Sequence, residues 1–143
     1  MKHEIIHRFE LTACFADTDA GGVVYHTRYL ELFERARFDF FQKADPASAS
    51  FSHDRGGYAV ADLSVHYRKP ARLGERVAVE TSLMQLKRAS FTLKQRAAGA
   101  SNGDLFCEAE VNMVRVNRHW KPEAISDRIR EALGGGRTIS SES

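Results

Sequence analysis

Nowhere does this 143-residue chain stay apolar for the roughly 18 residues that a membrane-crossing helix needs, so no membrane span is expected. The opening Met1-Lys2-His3-Glu4 lacks the apolar stretch and small-residue cleavage site of a secretory signal, and a cytoplasmic location is expected. Cysteine is scarce. Cys14 and Cys107 stand alone, which excludes a zinc knuckle and a redox C-x-x-C pair and leaves free thiols as the expected state. The G-x-S-x-G elbow, the P-loop, G-x-G-x-x-G and H-E-x-x-H are all missing, and with them the common serine-hydrolase, nucleotide and zinc-protease signatures. An excess of one charge is missing too. The 21 basic residues nearly cancel 19 acidic ones, so no nucleic-acid partner is expected. The six histidines are scattered, and His3 and His7 are too far apart on a strand to share an ion, so no metal site is expected.

What is present is an ordinary globular balance, 43% hydrophobic and 28% charged, long enough to bury roughly 68% of its unfolded surface. The patterning is specific. Ile5, His7, Phe9, Leu11, Ala13 and Phe15 share one parity, the signature of a half-buried strand. A helix is predicted over roughly 24–43, where Tyr25, Tyr29, Leu32, Phe33, Ala36 and Phe40 recur at helical spacing. Four strand-like segments follow between Ala59 and Met113, with Asn102-Gly103 a strong hairpin signal. Pro122 opens a second, shorter helix, and Gly134-Gly135-Gly136 stops it.

Consecutive strands joined by short turns pair antiparallel, so the chain reads as α+β: a five-stranded antiparallel sheet wrapped around one long α-helix, plus a short C-terminal helix. That arrangement is the hotdog fold. Residues 1–133 form the expected domain and 134–143 a flexible tail. A sheet with open edges tends to associate, so a homodimer or homotetramer is expected.

The chemistry concentrates in Asp17-Thr18-Asp19-Ala20-Gly21-Gly22-Val23-Val24-Tyr25-His26. A carboxylate precedes the N-terminus of a long helix, whose first N–H groups lack partners and carry partial positive charge. Such an end polarises a carbonyl becoming an oxyanion, and Gly21 and Gly22 allow close approach of a ligand. A base or nucleophile beside an oxyanion site suits acyl transfer. A helix cap followed by a glycine turn would leave the same sequence.

This stretch, with Tyr29-Leu30, Glu34-Arg35-Ala36-Arg37, Val65-His66-Tyr67-Arg68-Lys69-Pro70-Ala71-Arg72-Leu73-Gly74 and Ala109-Glu110-Val111, resembles the 4-hydroxybenzoyl-CoA thioesterase family. It looks closest to the acyl-CoA thioesterase branch encoded with bacterial Tol–Pal genes, over roughly residues 5 to 133. The resemblance implies thioester hydrolysis with coenzyme A as carrier and no cofactor beyond it. It implies that Asp19 is the catalytic carboxylate, that the His26 N–H is the oxyanion donor, and that Tyr25 and the His26 side chain stand near the pocket mouth. Gly21, Gly22 and Val23 would line the substrate site. Arg72, Arg88 and Ser90 are the candidates for the nucleotide of CoA, with Lys69 and Lys87 also available to its phosphates. The substrate would be an acyl-CoA or an acyl-carrier-protein thioester, and Tyr25, Tyr29, Phe51 or Tyr58 would line its acyl pocket. By their polar strand parity, Asp62 and His66 would face solvent or a subunit interface. The chain departs from that branch at Phe15-Ala16, where a Tyr-Glu pair is usual. A hotdog hydratase or dehydratase and a non-catalytic CoA- or carrier-binding protein are the alternatives from other classes.

Overall fold

The computed structural model describes residues 4–134 and 138–142. Strand β1 (Ile5–Thr12) leads through a 3-10 turn over Phe15–Asp17 to helix α1 (Arg28–Ala44). Strands β2 (Gly57–Tyr67), β3 (Arg76–Leu86), β4 (Ser90–Gly99) and β5 (Leu105–Val116) follow, then helix α2 (Asp127–Leu133) and strand β6 (Ile139–Glu142). The sheet order is β2-β5-β4-β3-β1-β6. The first five strands pair antiparallel.

Helix α1 lies against this sheet because its apolar stripe has nowhere else to go. Tyr29, Leu32, Phe33, Ala36, Phe40 and Phe41 are buried, and they join Val77, Val79, Phe91, Leu93, Ala109 and Val111 in one core. Sequestering a side chain such as Phe33 contributes about 2–3 kcal/mol. A buried polar link fixes the helix on the sheet. Gln95 donates to the Phe33 carbonyl (3.0 Å) and to Thr81 (3.1 Å), and accepts from Arg37 (2.8 Å). Ile129 and Leu133 of α2 seal one end.

Two expectations are corrected. The sheet has six strands rather than five, and it is mixed, because β6 runs parallel to β1 with His7 opposite Ile139. This strand falls in the stretch expected to be a flexible tail. Ile139 packs against the core, Lys43 donates to the Ser140 carbonyl (3.2 Å), and Thr138 donates to the Ile5 carbonyl (2.7 Å). The glycine signal that suggested a tail stops α2 without governing what comes after; residues 135–137 and 143 lie outside the described residues. Second, α1 begins at Arg28, not Val24. Val23 and Val24 are instead held extended, bridged to Arg72 and Thr18.

Candidate active site

The segment between β1 and α1 is tied down at several points. Ala13 exchanges hydrogen bonds with the turn before β3, donating to Glu75 (2.9 Å) and accepting from Gly74 (2.8 Å). The Asp19 N–H donates to the Val23 carbonyl (2.9 Å) and the Gly22 N–H to the Asp19 carbonyl (3.1 Å), closing a tight loop. Gly22 sits at φ +77°, where a Cβ is strained. The loop is locked to the chain leading into β3 by Val24 N–H to Ala71 (2.8 Å) and Leu73 N–H to Gly22 (2.9 Å).

Inside this loop the Asp19 carboxylate is half engaged. Its Oδ1 accepts from the Gly21 N–H at 2.8 Å and from the Val23 N–H at 3.5 Å. Its Oδ2 has no partner among the described residues. Helix α1 begins nearby without a side-chain cap, since Thr27 at the N-cap makes no capping bond. Among the described residues the N–H groups of His26 and Thr27 find no acceptor, so the amide-rich end of α1 is open. The Tyr67 hydroxyl donates to the His26 carbonyl at 2.8 Å, and its ring meets those of His26 and Tyr29 edge-on at 6.1 and 6.0 Å. Tyr25 leans on the His26 ring at 4.5 Å. Burial pushes the Tyr29 and Tyr67 phenols above their ordinary value, so both stay protonated. Burial pushes the Cys107 thiol up to about 12, so it is no nucleophile at neutral pH.

The structure thus brings Asp19, Gly21, Gly22, Val23, Tyr25 and His26 into one loop, with the Arg72 backbone bridged to Val23. Arg88 and Ser90 are elsewhere. They form the β3–β4 turn, where Ser90 pairs with Val114, whereas the loop sits at the end of the sheet where Tyr67 pairs with Cys107. Nine residue steps along β2 separate Tyr67 from Tyr58, about 30 Å. A single chain does not unite these residues with Asp19. Asp62 and His66 are exposed on β2, at the sheet margin. Among the described residues no group of three or more His, Cys, Asp or Glu is arranged to hold a metal ion.

Three residues that the sequence reading gave no role, Tyr67, Asp17 and Arg28, contact this segment. Asp17 is buried, and its Oδ1 accepts from Arg28 Nε at 2.9 Å, eleven residues away. Along a regular helix two residues eleven apart stand about 16 Å from each other, so no local period brings such a pair together.

A sheet wrapped around one long helix, with the Asp19 loop leading into the uncapped end of that helix, defines a hotdog protein. The model of the Thioesterase-like superfamily matches residues 14–133. The acyl-CoA thioester hydrolase YbgC of Escherichia coli O6:H1 is 33% identical, over 87% of this chain and 92% of its own length. The acyl-CoA thioesterase YbgC of Haemophilus influenzae is 35% identical over the same shares. The structure of Slr0204, a 1,4-dihydroxy-2-naphthoyl-CoA thioesterase from Synechocystis, shares the fold with a TM-score of 0.78 at 20% identity, covering 90% of this chain and 96% of that one. The chain belongs to the thioesterase-like superfamily.

Proposed function

We propose that this chain hydrolyses acyl-CoA thioesters, with Asp19 as the catalytic carboxylate and the His26 N–H as the oxyanion donor. The observation that carries this reading is the Asp19 side chain: one oxygen anchored by loop amides, the other free, in the loop that leads into the uncapped end of α1. The thioester carbonyl points at the open amides. The free Oδ2 either attacks the carbonyl carbon or takes a proton from the water that does. The C–S bond then breaks, and the CoA thiolate departs and takes up a proton. Where water attacked, the acyl group leaves as the free acid; where Oδ2 attacked, water hydrolyses the resulting mixed anhydride to release the acid and restore Asp19. A thiolate leaves readily, so the site needs no separate general acid. One oxyanion donor contributes about 10²–10³ in rate and a general base about 10²–10⁴.

The site is completed by a second copy. Strand β2 is one of the two edge strands of the sheet, and its Val60, Leu63 and Tyr67 are exposed. A homodimer pairing antiparallel along β2 sets the Gly57 end of one copy beside the Tyr67 end of the other. The Arg88–Ser90 turn then comes to the same end of the assembly as Asp19 of the other copy, where it can take the nucleotide of CoA. The free thiols of Cys14 and Cys107 support a reducing, cytoplasmic setting.

The deciding experiment is thiol trapping with a panel of acyl-CoAs on the wild-type chain and on Asp19→Asn. We expect thiol release that falls at least about 100-fold in the variant at unchanged circular dichroism. Near-normal turnover by the folded variant removes Asp19 from the mechanism.

A further inference from the structure

We infer that Asp17, through its ion pair with Arg28, is a positioning residue that aims the His26 N–H, given the roles proposed above for Asp19 and His26. The two residues grip Tyr25 from both sides. The Asp17 carbonyl accepts from the Tyr25 N–H at 3.0 Å, and the Arg28 N–H donates to the Tyr25 carbonyl at 2.8 Å. Their side chains close the ring, Arg28 Nε to Asp17 Oδ1 at 2.9 Å. The other carboxylate oxygen, Oδ2, accepts from the Cys14 N–H at 2.9 Å and anchors the ring to the end of β1. The peptide joining Tyr25 to His26 is planar, so fixing the Tyr25 carbonyl also fixes the direction of the His26 N–H on its opposite side.

Asp17 closes the capping box of the Phe15–Asp17 turn through its bond from the Cys14 N–H, but it does not cap α1. It bonds no amide of α1, and the N-cap position belongs to Thr27. Nor is it a surface pair of small value, because Asp17 is only 7% exposed. Burial acts to raise its pKa, but the hydrogen bonds from Cys14 and Arg28 outweigh that and hold it below its ordinary 3.8. Asp17 therefore stays charged through the neutral range. The ring has a second consequence. A guanidinium on the first residue of a helix opposes the positive end of the dipole, and Asp17 together with Glu31 neutralises it.

The test compares Asp17→Asn, Arg28→Gln, the double variant and Arg28→Lys by steady-state hydrolysis of one acyl-CoA, with Asp19→Asn alongside and the folded fraction measured for each. Misplacing a reacting group by 1 Å costs on the order of 100-fold. We expect kcat per folded molecule to fall about 10- to 100-fold in each single charge-removing variant, with KM changed less than about threefold. The double variant should be no worse than the poorer single one, because the ring breaks only once, and Arg28→Lys should recover part of the loss. Unchanged kcat with a lowered Tm overturns the positioning role. If Asp17→Asn does not fold, Arg28→Gln decides alone, since the Arg28 side chain is 29% exposed. Retained turnover in Asp19→Asn defeats the assignment of Asp19. Full kcat in Arg28→Gln while Asp19→Asn is inactive defeats only the role of Asp17.

Discussion

The Tyr67 hydroxyl and the His26 carbonyl, 41 residues apart in the chain, meet at 2.8 Å and tie the end of β2 to the approach to α1. This bond fixes the peptide that follows His26, as the Asp17–Arg28 ring fixes the one before it. Tyr67 is 48% exposed, yet partial desolvation of its hydroxyl still raises the phenol above its ordinary value, so the bond persists through the neutral range. A single partly exposed hydrogen bond contributes about 1 kcal/mol. Tyr67→Phe should therefore lower kcat about fivefold with little change in KM. Steady-state kinetics read this directly, and an unchanged kcat would assign Tyr67 a packing role only.

Gly21 and Gly22 are neighbours with opposite sensitivities. A Cβ at Gly21 would stand 3.2 Å from Asp19 Oδ1, whereas one at Gly22 meets nothing within 4 Å but sits at φ +77°. Gly21→Ala should lower kcat more than Tm, by pressing on the anchored oxygen. Gly22→Ala should lower stability by about 1 kcal/mol and leave kcat per folded molecule near that of the wild type. Denaturant melts and kinetics on the same two preparations separate these outcomes, and identical behaviour of the two variants would refute the distinction.

Assembly should control affinity. Leu63, 38% exposed near the middle of β2, would lie close to its own copy across an antiparallel β2 pair. Leu63→Lys places like charges there, and a charge on an edge strand blocks pairing. Sedimentation should shift from dimer to monomer, and KM for acyl-CoA should rise at least about tenfold as the Arg88–Ser90 turn is lost from the site. A monomeric variant with unchanged KM would separate the turn from CoA binding.

Much of this was legible in the sequence, for identifiable reasons. Period two from Ile5 to Leu11 and the stripe from Tyr29 to Phe40 are local signals, and both elements formed where they pointed. The hairpin at Asn102-Gly103 formed with Gly103 at φ 74°. Helix α1 was read four residues too early because Val24 and Tyr25 fit a helical stripe. Their N–H groups go instead to Ala71 and Asp17, which no window along the chain can show. The same limit hid β6, four residues whose partner lies at the opposite terminus. Within the site, the Asp19 loop was readable because its residues are contiguous. The contacts of Tyr67, Asp17 and Arg28 were not, because they are tertiary pairings that sequence order does not show.

Stability should fall on mild acidification, through His7. This side chain is completely buried on β1, edge-on to Phe40 at 6.2 Å. Its Nε2 lies 2.7 Å from Asp39 Oδ2, and its Nδ1 is buried without a partner among the described residues. Lys43, one turn further along α1, stands 3.5 Å from the same Asp39 oxygen. Protonating Nδ1 would place a donor where no acceptor waits. Burial therefore lowers the His7 pKa below its ordinary 6.5, against the opposing pull of Asp39 and with a smaller push from Lys43. A depressed value means that the unfolded chain takes up the proton first. The contribution of His7 is complete above about pH 6.5 and is lost as the pH falls through its folded value. Asp39 is also depressed: burial would raise it, but the His7 hydrogen bond and the nearby charges win. Its contribution is lost only below its ordinary 3.8, outside this window. Each kcal/mol lost should lower Tm by about 4 °C in a chain of this size. Melting curves of the wild type should therefore shift down between pH 7 and pH 5. His7→Gln, which keeps a donor for Asp39 and cannot titrate, should flatten that slope, and an equal slope in the two proteins would place the acid-sensitive group elsewhere.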